Sequence, residues 1–266
     1  FKKFNYQLGI WGSDFIGLKN FQFLFSSPDS WLITRNTILY NLVFIILGTA
    51  VSVGVAILMN EITAKNLKKF YMTSILLPFL ISIVIVSYLV YGFLSTDVGF
   101  INKTIMPLTG GTAQSWYSTP SIWPFVLVLV NLWKYFGYNC IIYYATLVGI
   151  DRSFYEAAVI DGASRWKTIL HVTLPSLRPT IIILTLMSIS KIFYSDFGLF
   201  YQVPMNSGAL MDVTNTIDTY VYRSLIETHN IGMSSAAGMY QSVVGFLLIL
   251  AANFAVRKYD GDSALF

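Results

Sequence analysis

Five stretches of this 266-residue chain are long, apolar and nearly free of charge: Thr37–Met59, Phe70–Leu94, Ile122–Val148, Pro179–Phe200 and Ala236–Val256. Each reaches the length of about 20 apolar residues that a helix needs to cross a hydrocarbon core. Their only charges are Lys134, Lys191 and, near one end, Asp196. With 55% hydrophobic and 11% charged residues, the chain falls well short of the roughly 25% charge usual in soluble domains. The expected fold is all-α, a polytopic membrane helical bundle with five visible spans.

Basic residues give the runs a direction. Segment 60–69 holds Lys65, Lys68 and Lys69, segment 149–178 holds Arg152, Arg165, Lys167 and Arg178, and the tail holds Arg257 and Lys258. The alternate connections, 95–121 and 201–235, hold only Lys103 and Arg223. The positive-inside rule puts the nine in the cytoplasm and the two outside. The net charge of +4 is therefore an insertion signal, and a nucleic-acid partner drops out. This gives an extracellular segment 1–36, a membrane domain 37–256 with cytoplasmic loop 149–178 and outer loop 201–235, and a cytoplasmic tail 257–266. An outer N-terminal segment that begins with Phe1 and carries Lys2, Lys3, Lys19 and Arg35 implies a preceding span, so six or more spans are expected in all.

Trp11, Trp31, Trp116, Tyr117 and Trp123 are expected to form an outer interfacial belt. Thr216–Glu227 reads as a short amphipathic helix ahead of Gly232. Cys140 lies in an apolar run and is expected to be a small core residue. His171 and His229 have no cysteine nearby, so no metal site is expected.

Segment 149–178 breaks the apolar pattern. Ser153 and Glu156 have the spacing of a capping box. A helix from about 154 to 161 should then end at Gly162, which can take the left-handed backbone of a C-terminal cap. Ser164 can cap a second helix running to Val172, with Pro175 ending it and Pro179 opening the next span. The product is two short helices joined at a glycine, with the small residues Ala157 and Ala158 open to close approach.

Glu156-Ala157-Ala158, three residues, Gly162, nine residues, Val172, one residue and Leu174-Pro175 together resemble the EAA loop of bacterial ABC importer permeases. Asp161-Gly162-Ala163 and the Leu-Pro-x-Leu-x-Pro of Leu174–Pro179 resemble the binding-protein-dependent carbohydrate branch. Gly17-Leu18-Lys19-Asn20-Phe21 is similar to the outer segment after the first span of such permeases. Asp196–Phe200, Asp218–Tyr222, Ser235–Gly238 and Gln241-Ser242 look closer to the complex-oligosaccharide, aldouronate-type members. Many sugar permeases carry Gly-Gly-Pro in the last outer loop, where this chain has Met205-Asn206-Ser207-Gly208.

The resemblance implies a non-catalytic subunit of the bacterial plasma membrane that moves a carbohydrate, such as an oligosaccharide, into the cytoplasm. It implies a second, non-identical permease, two copies of a cytoplasmic ABC ATPase and an extracellular solute-binding protein. Glu156, Ala157, Ala158, Asp161, Gly162 and Arg165 would form the surface that couples to the ATPase. The chain would bind no cofactor itself, ATP and Mg being used by the partner. Consistently, no stretch has the Gly-x-x-x-x-Gly-Lys-Ser/Thr pattern of a phosphate-binding loop.

Lysines at the centre of a span cost about 2.5–3.5 kcal/mol on insertion scales and usually face a bundle interior or wet cavity. Lys134 and Lys191, with Asn131, Asn139, Ser188, Tyr194 and Asp196, are therefore the candidate substrate path. A positively biased path would suit an acidic, uronate-containing sugar. The alternative partners for the two lysines are backbone carbonyls or the second permease. The rival function is an ion-gradient-driven secondary transporter, for which Asp196 is the sole acid in the spans.

Overall fold

The computed structural model describes residues 1–22, 26 and 29–259. Helix dominates it, with α1 Asp29–Glu61, α2 Lys65–Leu80, α3 Ile83–Leu94, α4 Trp123–Val148 and α5 Arg152–Ile160. Then follow α6 Arg165–Ile189, α7 Ile217–Thr228 and α8 Ile231–Tyr259. Four of these (α1, α4, α6 and α8) are long and apolar enough to cross a membrane, and the pair α2–α3 makes a fifth, interrupted candidate. The all-α expectation holds.

Two spans differ from their predicted form. Phe70–Leu94 is not one helix but α2 and α3, too strongly bent for a straight span. Ile81 and Ser82 adopt extended backbone (ψ 132° and 141°), and the Ser82 hydroxyl accepts the Val84 N–H to start α3. Ile-Ser carries no turn signature, and the local signal is Pro78, three residues before Ile81, which was expected to bend this span. The predicted span Pro179–Phe200 lies too far along the chain. The helix begins at Arg165 and ends at Ile189.

Pro175 does not terminate the second short helix, contrary to expectation. The turn Ile169–Thr173 widens to π-helix, with Leu174 N–H bonded to Ile169 O, and Pro175 enters as the α-helix resumes. A π-turn displaces the hydrogen-bond ladder by one residue, and this accommodates a residue that has no N–H to offer. The second short helix is thus the first turns of a long one.

The described residues fall into two compact units. One comprises those of Phe1–Leu42, Ser82–Val128 and Lys191–Leu247, the other those of Val43–Ile81, Leu129–Ser190 and from Leu248 on. In the second unit a core forms where Val53, Ala56 and Met59 of α1 meet Cys140, Tyr143 and Leu147 of α4, with Leu177 of α6. The spacing of three and four residues places each set on one helix face. Gly137 of α4 lies so close to Ile75 of α2 that a Cβ would overlap the Ile75 carbonyl. Cys140 is a buried free thiol of this core, as expected.

The first unit opens with a hairpin that the sequence reading did not foresee. Strands β1 Lys2–Asn5 and β2 Ser13–Phe15 pair antiparallel, and the Lys2 ammonium closes the loop on the Ile10 and Trp11 carbonyls at 3.0 Å each. Trp11 and Trp31 are exposed as a belt requires, but Trp123 is fully buried. Its indole N–H donates to Trp116 O at 2.8 Å, and its ring packs edge-on to Tyr117, so protein satisfies it rather than an interface.

Candidate functional site

Segment 149–178 folds as two helices joined at a sharp turn. The cap of α5 is Asp151, not Ser153: its Oδ1 accepts the Ser153 N–H at 2.9 Å. That bond, with a second from the Ser153 side chain, holds the Asp151 carboxyl below its usual pKa of 3.8. Glu156 therefore makes no capping box and is exposed. At the other end Ala163 N–H bonds to Ala158 O and Gly162 N–H to Val159 O, at 2.9 and 3.0 Å. Those two bonds are a Schellman closure, and Gly162 sits at φ +69°, where a side chain would be strained. The Ser164 hydroxyl then accepts the Lys167 N–H at 3.4 Å and starts α6, as predicted.

The predicted coupling residues divide between two faces of α5. Glu156 lines a groove of about 850 Å³ together with Glu61, Lys68, Tyr144 and Arg152. Ala157, Ala158 and Asp161 line another of about 540 Å³ with Lys167 and His171 across from them. Arg165 is exposed beyond the turn. Around these residues Phe154, Val159, Ile160 and Trp166 stand 60–85% exposed, an unusual concentration of apolar surface among charges.

The candidate path residues do not form one cluster in either unit. In the second unit Lys134 is 6% exposed, and its ammonium reaches the carbonyls of Pro78, Phe79 and Ile81 at 3.4, 3.3 and 2.5 Å. It caps the C-terminus of α2 at the break, where helix carbonyls lack partners and a cation meets the negative end of the dipole. Asn131 and Asn139 on the same helix are half-buried. Ser188 is exposed, with its hydroxyl returned to Leu184 O at 2.8 Å.

Lys191, Tyr194 and Asp196 belong to the first unit, in an irregular segment after the end of α6. Lys191 is thus not at the middle of a helical span, as residue count implied. It is exposed, as is Tyr194, whose hydroxyl meets Ser242 Oγ at 2.8 Å. Asp196 Oδ1 accepts the Leu199 N–H at 3.1 Å and caps the next helical turn.

Sequence reasoning missed what holds this segment. Asn41 Nδ2 reaches the carbonyls of Ile192 and Tyr194 at 2.9 and 2.8 Å. Gln241 Nε2 donates to Phe193 O at 2.7 Å and to Asp218 Oδ2 at 3.2 Å. The same Asp218 oxygen accepts Ser195 N–H and Oγ–H at 2.7 and 2.8 Å. The backbone groups of an unwound stretch need partners other than a helix ladder, and these three side chains supply them. A lone Asn in the apolar run Thr37–Met59 was the signal available.

The chain matches the family described as binding-protein-dependent transport system inner membrane component over residues 45–260. The chain belongs to this family. The permease is 34% identical over 262 residues to Protein LplB of Bacillus subtilis (strain 168), covering 98% of this chain and 81% of that one. It is 31% identical over 255 residues to the polygalacturonan/rhamnogalacturonan transport system permease protein YteP of the same organism, covering 96% and 78%. Among solved structures it resembles a bacterial ABC transporter involved in the import of the acidic polysaccharide alginate, with a TM-score of 0.86 at 29% identity, over 92% of this chain and 85% of that one. It is a multi-pass protein of the bacterial inner membrane.

In the permease, the loop position where Gly-Gly-Pro is common in sugar permeases has Met205 and Asn206 at φ 54° and 47°. The left-handed backbone persists without glycine because neighbours pin it. Asn206 Oδ1 accepts Arg223 Nε at 3.0 Å, and Ser207 Oγ donates to Tyr117 O at 2.9 Å. Arg223 also donates to Asn215 Oδ1 at 2.6 Å and lies over the Tyr201 ring, which packs with Phe197 and Tyr222. Burial pushes the Arg223 guanidinium pKa below its ordinary value.

Proposed function

We propose that the permease carries an acidic oligosaccharide into the cytoplasm, driven by ATP hydrolysis in a separate ATPase docked on segment 149–178. The observation that carries the coupling half is the Gly162 turn. It fixes an exposed two-helix element bearing Glu156, Ala157, Ala158, Asp161 and Arg165 among exposed apolar side chains. Small residues on such an element permit close backbone approach, and the surrounding apolar area supplies binding energy when a partner covers it. Glu156 contacts the ATPase from one face of α5 while Ala157 and Ala158 pack on the other.

In this reading 1–36 and 201–235 lie outside, 37–256 form the membrane domain, and 149–178 and 257–266 face the cytoplasm. Two ATPase copies, a second, non-identical permease and an extracellular solute-binding protein complete the transporter. Support for the last is the family's dependence on a binding protein. The chain binds no cofactor, and ATP and Mg act in the ATPase alone. Family membership favours this over an ion-gradient-driven transporter.

Support for an acidic substrate comes from the relatives that handle polygalacturonan and alginate and from the exposed cation Lys191 beside exposed Tyr194. Asn131, Asn139, Ser188 and Asp196 remain path candidates, and Lys134 acts there by holding the α2 break. Uptake of uronate and neutral oligosaccharides of equal length by vesicles containing the whole transporter tests the substrate. A preference of tenfold or more for the uronate, reduced in Lys191→Gln, is expected. Equal uptake, or a preference for the neutral sugar, contradicts it.

A further inference from the structure

Lys65, Lys68 and Lys69 stand at the start of α2, and all three line a groove of about 500 Å³ whose remaining walls include Leu76, Leu80 and Ile141. The groove lies within the second unit. Its mouth is basic and its floor is apolar, and no carboxylate lines it. Lys65 and Lys69 are exposed, whereas the Lys68 ammonium rests over the ring of Tyr144 at 5.4 Å, a residue that lines the groove of Glu61 and Glu156 and not this one. The positive-inside rule accounts for lysines at this end of α2, but not for an apolar trough lined by Lys65 and Lys69.

We propose that this groove binds an anionic phospholipid of the inner leaflet, its phosphate held by Lys65 and Lys69 and its acyl chain along Leu76, Leu80 and Ile141. A basic mouth opening on an apolar groove at the cytoplasmic side of a membrane helix is complementary to such a lipid at both ends. A zwitterionic lipid offers the same phosphate but brings an ammonium that the lysines repel, and a soluble anion matches only the mouth. Both elements are needed, and the groove supplies both. Because α2 is the helix whose far end Lys134 caps at the break, the lipid braces the element that leads into the interrupted span.

The test is native mass spectrometry of the purified transporter released from micelles with equal phosphatidylglycerol and phosphatidylethanolamine of matched chains. Selective retention of phosphatidylglycerol is expected, weakened on the order of 25-fold in the K65Q/K69Q variant, from about fivefold per lysine. Leu76→Trp, which fills the trough and leaves every charge in place, should also lose the lipid, while sn-glycerol 3-phosphate should not displace it. Equal retention of the two lipids overturns the proposal. So does retention unchanged in Leu76→Trp, displacement by the soluble phosphate, or one-for-one displacement by added ATPase, which would make the groove a protein contact.

Discussion

Segment 149–178 and the irregular stretch from Ser190 to Phe197 both interrupt membrane-type helix, and they are held in opposite ways. The first is closed by its own neighbours: Asp151 caps Ser153, Ala163 returns to Ala158, and Ser164 caps Lys167, all within five residues. The second is held by Asn41, Asp218 and Gln241, up to 153 residues away in sequence. A locally closed element keeps its shape when its surroundings rearrange, which suits a part that must stay docked on a moving partner. A stretch held from three other elements keeps its shape only while those elements keep theirs, so it reports their arrangement.

The largest expected effect separates the two. Asp218→Ala strands two donors of Ser195 and one of Gln241, at a cost on the order of 3 kcal/mol. Differential scanning fluorimetry in detergent should show the melting temperature lowered by about 6–12 °C. A shift within 2 °C would mean water replaces the carboxylate and the stretch is not held as described. Asn41→Leu should follow at about 2 kcal/mol, because two carbonyls of the irregular stretch lose their donor.

Gly162→Ala should cost about 1 kcal/mol, confined to the turn, since only its left-handed backbone is opposed. Hydrogen exchange should quicken at Ala158–Ala163 and nowhere in α4. Faster exchange throughout the second unit would show that the element is not locally closed.

How far each region was legible follows the same division. The glycine turn, the Ser164 cap, the helix α7 and the span Ile122–Val148 were read because their signals lie within a few residues. Even there Asp151 was overlooked, because Ser153 and Glu156 fit a capping box equally well on paper, and only the helix start decides between them. Lys191 was put at mid-span because an apolar count cannot see that α6 starts at Arg165 rather than Pro179. The α2–α3 break was foreseen only as a bend at Pro78, and its sharpness was not legible. Its determinant is Lys134, 53 residues beyond Ile81, and the sequence offered that lysine only as a misplaced charge. Backbone carbonyls had been one of its foreseen partners.

The smallest effect is one of pH. The Asp151 carboxyl has its pKa lowered by the bonds it accepts. Its cap therefore contributes fully above the unfolded value of 3.8 and is lost as pH falls through the lower folded value. Exchange at the first turn of α5 should be flat from neutral pH down to about 4 after correction for intrinsic rates, then rise. Asp151→Ala should show the faster rate at every pH. A rise already near pH 6 would place the cap elsewhere.

The central claim is that the Gly162 turn presents a docking surface for an ATPase. Co-purification of the tagged permease from its native membranes, identified by mass spectrometry, tests it directly. Wild type should bring down an ABC ATPase and a second permease, whereas Glu156→Lys and Gly162→Val should keep the second permease and lose most of the ATPase. Recovery of the ATPase undiminished in both variants, or of the permease alone still moving substrate in vesicles without ATP, would contradict it.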